Sequence, residues 1–312
     1  MIPGVSAIYV ASYLLTYFIA AFTLAVVFNH PIKEILVPFI YIGMGLSLLE
    51  MLFPPNKNIL NSEKSKVSKE PVIIMLLLSW IALYITYGGY FIDQLISPST
   101  LQNPRAYFFV VLARKLLVFV LVPFLLYASL GFSFKDFGMG LPVKEIFTRR
   151  NSLIFFLFSM AVLFFQFYFS TGGKNFRNAS FSAIQLISAP PIIFSWLFVE
   201  AGLVEEFFFR ALLQTRLAIL FKSPAGGIVV SSLLFGLVHA PCLYLRGAGS
   251  EGIETSFPFI FFISYTITFM SMAGIFLGIL YHKSKNLWLV MAIHAMADLI
   301  PNFHEFIETW RF

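Results

Sequence analysis

The chain has 312 residues, of which 59% are hydrophobic and only 12% charged, against roughly a quarter charged in an ordinary soluble domain. Together with 39 phenylalanines, that balance excludes a water-exposed globule and makes the bilayer the natural solvent. The formal charge of +6 does not point to nucleic acid, because Lys and Arg are scattered through short loops rather than gathered in a basic stripe. The single cysteine, Cys242, excludes an internal disulfide and a thiolate metal cluster.

In chain order, apolar runs recur, each about long enough to cross ~30 Å of hydrocarbon at ~1.5 Å per helical residue. The first, near 7–28, lacks a preceding basic region and a following small-residue cleavage site, so it is expected to stay as a membrane helix rather than act as a signal peptide. Others lie near 35–53, 72–95, 106–130 and 152–170. A long one covers 182–221, and shorter ones lie near 226–240, 257–281 and 287–303. They are continuously apolar rather than alternating, which argues for helices over barrel strands. The expected fold is an all-α polytopic membrane protein with eight to nine transmembrane helices enclosing an intramembrane cavity.

Between the runs, 54–71 is the most polar stretch, with Lys57, Lys64, Lys66 and Lys69, and reads as a solvated hinge. A second polar loop covers 131–151. With nine alternating spans and a cytoplasmic N-terminus, inner loops collect eleven Lys and Arg and outer segments six, which favours that orientation. The triplet Asn178-Ala179-Ser180 has the glycosylation pattern but lies beside a span. No internal repeat is evident. One integrated membrane domain is expected, with residues 1–180 as N-terminal helices and 181–312 as the helical core that carries the chemistry.

Charges inside the apolar runs are the chief functional signal. Each costs ~2.5–3.5 kcal/mol at a helix centre, so Glu205, Glu206 and Arg210 together would cost roughly 8–10 kcal/mol if left without partners. Glu206 and Arg210 are four apart, on one helix face, and are spaced to pair. Glu205 points about 100° away and lacks that partner. A desolvated carboxylate near a positive group is a candidate general base. The same three residues would equally serve a salt-bridged network that only holds helices together.

Two later positions shift that balance. His239 ends the run Ile228 to Val238, and His294 lies in the last run with Asp298 four residues on, on the same face. Counting ~1.5 Å per residue from run ends on one side puts Glu205, His239 and His294 at ~24, ~20 and ~11 Å depth. The first two agree, and the third fits if its helix starts deeper or tilts. Such a set suits hydrolysis of an amide by an activated water. Glu205 and His239 would hold and deprotonate the water, while His294 and Asp298 would donate or orient hydrogen bonds toward the oxyanion.

The series Glu205-Glu206-x-x-x-Arg210, Phe235-x-x-x-His239 and His294-x-x-x-Asp298 resembles the three motifs of the CAAX protease and bacteriocin-processing family, which includes the type II CAAX prenyl endopeptidases. The motifs span about the C-terminal third of the chain; residues 1 to about 180 are similar only in being membrane-spanning. The resemblance implies a glutamate-dependent intramembrane endopeptidase of about eight helices, with a substrate lipidated at its C-terminus, membrane lipid as surroundings and no cofactor. It matches Glu205 and His239 to the water-activating pair, Glu206 and Arg210 to its support, and His294 and Asp298 to the oxyanion side. Prenyl proteases of the family commonly have Asn at the last position, so Asp298 departs from the pattern. The family's prenyl enzymes act from the cytoplasmic side, whereas the loop charges and depths here place the site toward the outer side.

Rival readings remain at this level. Two histidines and a carboxylate would suit zinc, although the one His-Glu pair, His304-Glu305, is followed by Glu308 where the metalloprotease pattern needs a second histidine. A proton-coupled transporter would also use intramembrane Glu, His and Asp, with Glu50, Asp93, Arg114, Lys115 and Glu200 extending the path. Snorkelling at span ends accounts for most of these five; the Arg114-Lys115 pair lies deeper. A silent binding or immunity-type protein is the third alternative.

Overall fold

The protein is described by a computed structural model over residues 3–51, 53, 70–83, 95–137, 139–246 and 257–311. No strand occurs among the described residues. Helix α1, Pro3–Phe22, continues as a π-helical turn at Thr23–Val27, and α2 is Ile32–Glu50. Then follow α3 (Glu70–Leu83), α4 (Pro104–Ala128), α5 (Arg149–Phe169) and the short α6 (Thr171–Asn178). The last five are α7 (Ala183–Leu220), α8 (Pro224–Arg246), α9 (Phe259–Thr268), α10 (Met270–Ser284) and α11 (Leu287–Trp310).

Local chemistry sets many of these boundaries. Asn103 accepts from the backbone N–H groups of Arg105 and Ala106, with Pro104 in the first helical turn of α4, where a missing N–H is harmless. Thr148 caps α5. Ser182 and Gln185 form a reciprocal capping box at the start of α7. Asn286 caps α11 by accepting from the backbone of Leu289, and Lys285 before it is left-handed, which ends α10.

Among the described residues, seven helical stretches are long and apolar enough to cross a membrane: Ser6–Val27, Ile32–Glu50, Pro104–Ala128, Arg149–Phe169, Ala183–Leu220, Pro224–Pro241 and Phe259–Ser284. The count is close to the eight to nine expected. The expected run near 72–95 is described only as α3, and α11, punctuated by polar and charged residues, is not among the seven. The expected lysine-rich hinge at 54–69 and Asp93 lie outside the described residues.

Two compact units are built from non-contiguous segments. The first comprises Met1–Ile74 and Phe209–Lys285, the second Met75–Phe208 and Asn286–Phe312. In the first, α8 packs on α1, α9 and α10. There Leu24, Ile35, Ala240, Leu243, Phe261 and Phe262 form one core and Tyr13, Tyr17, Val229 and Met272 another. In the second, α11 packs on α5, α6 and the first half of α7. Ala189, Ile193 and Leu197 of α7 meet Ala295, Leu299, Phe303 and Phe306 of α11, both sets repeating every three or four residues, as a helix face must.

Polarity is reversed relative to a soluble globule. Ile184 and Ile187 are 77% and 78% exposed, whereas Glu206 and Arg210 are 0% exposed. Outward apolar surface of this extent is what lipid tails accommodate and water does not. The chain is an integral, multi-pass membrane protein.

Candidate active site

Helix α7 positions three carboxylates, and its backbone departs from the α form around them. Phe198–Leu203 and Phe207–Gln214 are π-helical and flank the α-helical turn Val204–Glu206. Such wide turns are rare and recur at functional sites. Helix α11 approaches this part of α7 closely, because Gly202 has no side chain: a Cβ there would stand 2.6 Å from the carbonyl oxygen of Met291. The contact lies one turn from Glu206 along α7 and three residues from His294 along α11.

That approach gathers the ionisable groups of the second unit. Nδ1–H of His294 donates to Oε1 of Glu206 at 2.8 Å. Nε2 of the same ring lies 3.5 Å from Oδ2 of Asp298 and 3.9 Å from Oε2 of Glu205. The other oxygen of Glu205, Oε1, is 3.3 Å from Nζ of Lys115, and this ammonium also lies 2.5 Å from Oε1 of Glu200. One histidine therefore faces three carboxylates, and one lysine faces two. The group is graded in exposure, from the fully buried Glu206 to the Asp298 side chain at 34%.

The remaining motif residues belong to the first unit. Arg210 is fully buried and its guanidinium stands 4.9 Å from the centroid of the Phe235 ring, a distance at which a cation is attracted to the ring face. His239, one turn further along α8, donates from Nδ1 to the carbonyl oxygen of Phe235 at 2.6 Å. With Nδ1 protonated, Nε2 of the neutral ring is a proton acceptor.

Of the expected site residues, Glu205, Glu206, His294 and Asp298 come together within the second unit. The unequal depths expected for Glu205 and His294 are corrected by their 3.9 Å separation. The error has a physical source. Helix α7 has 38 residues, about 57 Å of rise, nearly twice the ~30 Å hydrocarbon thickness, so its C-terminal end is a poor marker of the membrane face. Glu206 also has a partner that spacing alone did not suggest, the ring of His294.

Lys115 and Glu200 are the residues that sequence reasoning left without a role. Snorkelling at a span end does not describe Glu200, which is paired with a lysine of α4. Ideal α-helical turning of ~100° per residue would set positions 200 and 205 about 140° apart, so nothing in their spacing joined them. The π-helical turn between them changes that angle. The only sequence signal for Lys115 was the cost of a cation well inside an apolar run.

No group of three or more His, Cys, Asp or Glu side chains among the described residues is arranged to hold a metal ion. Residues 187–300 match the family model for type II CAAX prenyl endopeptidase, Rce1-like. The similarity to that family lies in residues 187–300. The matched stretch begins within α7, ends within α11 and contains all seven motif residues from Glu205 to Asp298. Comparison with curated proteins returns no match, and comparison with solved structures returns none. The Rce1-like match supports a membrane protease, a hydrolase of CAAX type acting on a protein or peptide substrate.

Proposed function

We propose that the protein is a glutamate-dependent intramembrane endopeptidase that hydrolyses a peptide bond near the C-terminus of a prenylated, CAAX-type substrate. The observation that carries this reading is the meeting of Glu205, Glu206 and Asp298 around the buried His294 inside the matched residues 187–300. Residues 181–312 are the catalytic core in this proposal.

Glu205 takes a proton from a water, and the resulting hydroxide attacks the scissile carbonyl carbon; the family resemblance assigns His239 to the same step. Glu206 holds the ring of His294 through Nδ1–H, and the family resemblance assigns Arg210 a supporting role. A His294 that donates from both nitrogens carries both ring protons, so that Nε2–H is available to the oxyanion as the carbonyl π bond breaks. Collapse of the tetrahedral intermediate breaks the C–N bond, and the proton held by Glu205 passes to the leaving amine. Asp298 orients His294 through Nε2.

The test uses the full chain reconstituted in lipid vesicles with a prenylated CAAX peptide, in strong chelator. Glu205→Gln and His239→Ala each lower kcat by about 10²–10⁴, the range for lost general acid–base catalysis, while the protein keeps its thermal stability. Normal cleavage by both variants would refute the reading. The ladder of ionisable groups from Glu200 through Lys115 and Glu205 to His294 also favours a second reading, a proton path in a transporter. Proton uptake into the same vesicles without peptide would support that alternative, and chelator-sensitive cleavage would support a zinc enzyme.

A further inference from the structure

The charged group beside the proposed base contains one cation from outside the Rce1-like match. Lys115 closes the first α-helical segment of α4, Pro104–Lys115, and the π-helical segment Leu116–Leu121 follows directly. That segment packs against the α-helical turn Val204–Glu206, which brings the root of the lysine side chain beside the turn that carries Glu205. The ammonium then lies between two carboxylates of one helix, 2.5 Å from Glu200 and 3.3 Å from Glu205.

The two contacts are unequal, and the inequality suggests what the lysine does. The shorter one, to Glu200, lies on a side chain 14% exposed, with the lysine itself 24% exposed. It fixes where the ammonium sits. The longer one is to Oε1 of Glu205, and the other oxygen, Oε2, lies 3.9 Å from Nε2 of the His294 ring. A carboxylate pinned by one oxygen has lost most of its rotational freedom, so its second oxygen is presented in one direction. Orientation of a reacting group in this way lowers the barrier, and a displacement near 1 Å costs about 10²-fold in rate.

We infer that Lys115, anchored by Glu200, is the positioning residue for Glu205: it pins Oε1 so that Oε2 is the oxygen directed at the reacting water. Lys115 acts through Glu205 and does not touch substrate. The inference rests on the reading of Glu205 as the base. It extends the catalytic machinery to α4, which lies outside residues 187–300.

Three properties separate this role from a merely structural one. Lys115→Met in the reconstituted full chain lowers kcat for the prenylated peptide by about 10²-fold and leaves KM within about twofold. Lys115→Arg keeps a cation in place and restores at least about a tenth of the wild-type kcat. In the Glu205→Gln background, Lys115→Met causes no further loss, because residues acting through one group are non-additive.

Removing the lysine takes the shared cation from two largely buried carboxylates, which endangers folding. The double variant Lys115→Met with Glu200→Gln removes one of these charges and is read in the same way. Wild-type kcat in either folded variant lacking the lysine, a loss confined to KM, or an equal further loss in the Glu205→Gln background would overturn the inference. If Glu205→Gln itself cleaves normally, the reading of the base has failed. If Glu205→Gln is inactive while Lys115→Met is fully active, only the role of Lys115 has failed.

Discussion

Gly202→Ala is the most direct probe of how α7 and α11 form the site. The added Cβ would stand 2.6 Å from the Met291 carbonyl oxygen, 3.2 Å from its carbon and 3.3 Å from its Cα. Carbon–oxygen contacts relax to about 3.3–3.6 Å, so the two helices must separate there by roughly 0.7–1.0 Å. Since Glu206 follows one turn later, much of that displacement reaches the 2.8 Å bond between Glu206 and Nδ1 of His294 and stretches it toward the limit of a hydrogen bond, about 3.5 Å. Overpacking of this kind costs about 1–3 kcal/mol of stability, and misplacement near 1 Å costs about 10²-fold in rate. The expected outcome is a kcat lower by about one to two orders of magnitude with a modestly lowered midpoint of thermal unfolding in detergent. Peptide cleavage and tryptophan fluorescence on the same preparation measure both. A variant with wild-type kcat and wild-type midpoint would show that Gly202 does not set the helix approach on which the site depends.

Two further substitutions separate charge from shape around His294. Glu206→Gln keeps an oxygen able to accept from Nδ1–H but removes the charge, so the loss is the charge-assisted part of the bond, about 1.5 kcal/mol, or about tenfold in kcat. Glu206→Ala leaves buried His294 without that carboxylate and destabilises the fold by about 3–5 kcal/mol, measured as loss of folded protein on size-exclusion chromatography; equal behaviour of the two variants would contradict the assigned bond. Asp298→Asn keeps most of the cleavage activity, because the amide can orient His294 through its oxygen and donate to an oxyanion through its nitrogen, whereas Asp298→Ala lowers kcat by about tenfold or more. An Asn variant as impaired as the Ala variant would indicate that the carboxylate charge itself is required.

Membrane class and helical character were legible because they depend on run length and composition, which are local. Continuous apolar stretches must bond their own backbone in lipid, and the seven spanning helices follow largely from that rule. The motif positions were legible for a related reason: a charge in an apolar run is costly wherever the run folds, so Glu205, Glu206, Arg210, His294 and Asp298 stood out before any partner was known.

Partnership was not legible, because it depends on where one helix meets another and on how its backbone turns. Spacing on an ideal helix joined Glu206 to Arg210 and left Glu200 and Lys115 apart. In the structure, Glu206 bonds to His294 across 88 positions of sequence, and Lys115 reaches Glu205 across 90. The distance from a run end could not give depth either, since α7 is longer than the hydrocarbon is thick. The sequence by itself determined that these residues are polar groups in lipid and must find partners there. Only the close approach permitted at Gly202, and the π-helical turns on either side of Glu205 and Glu206, decided which partners they find.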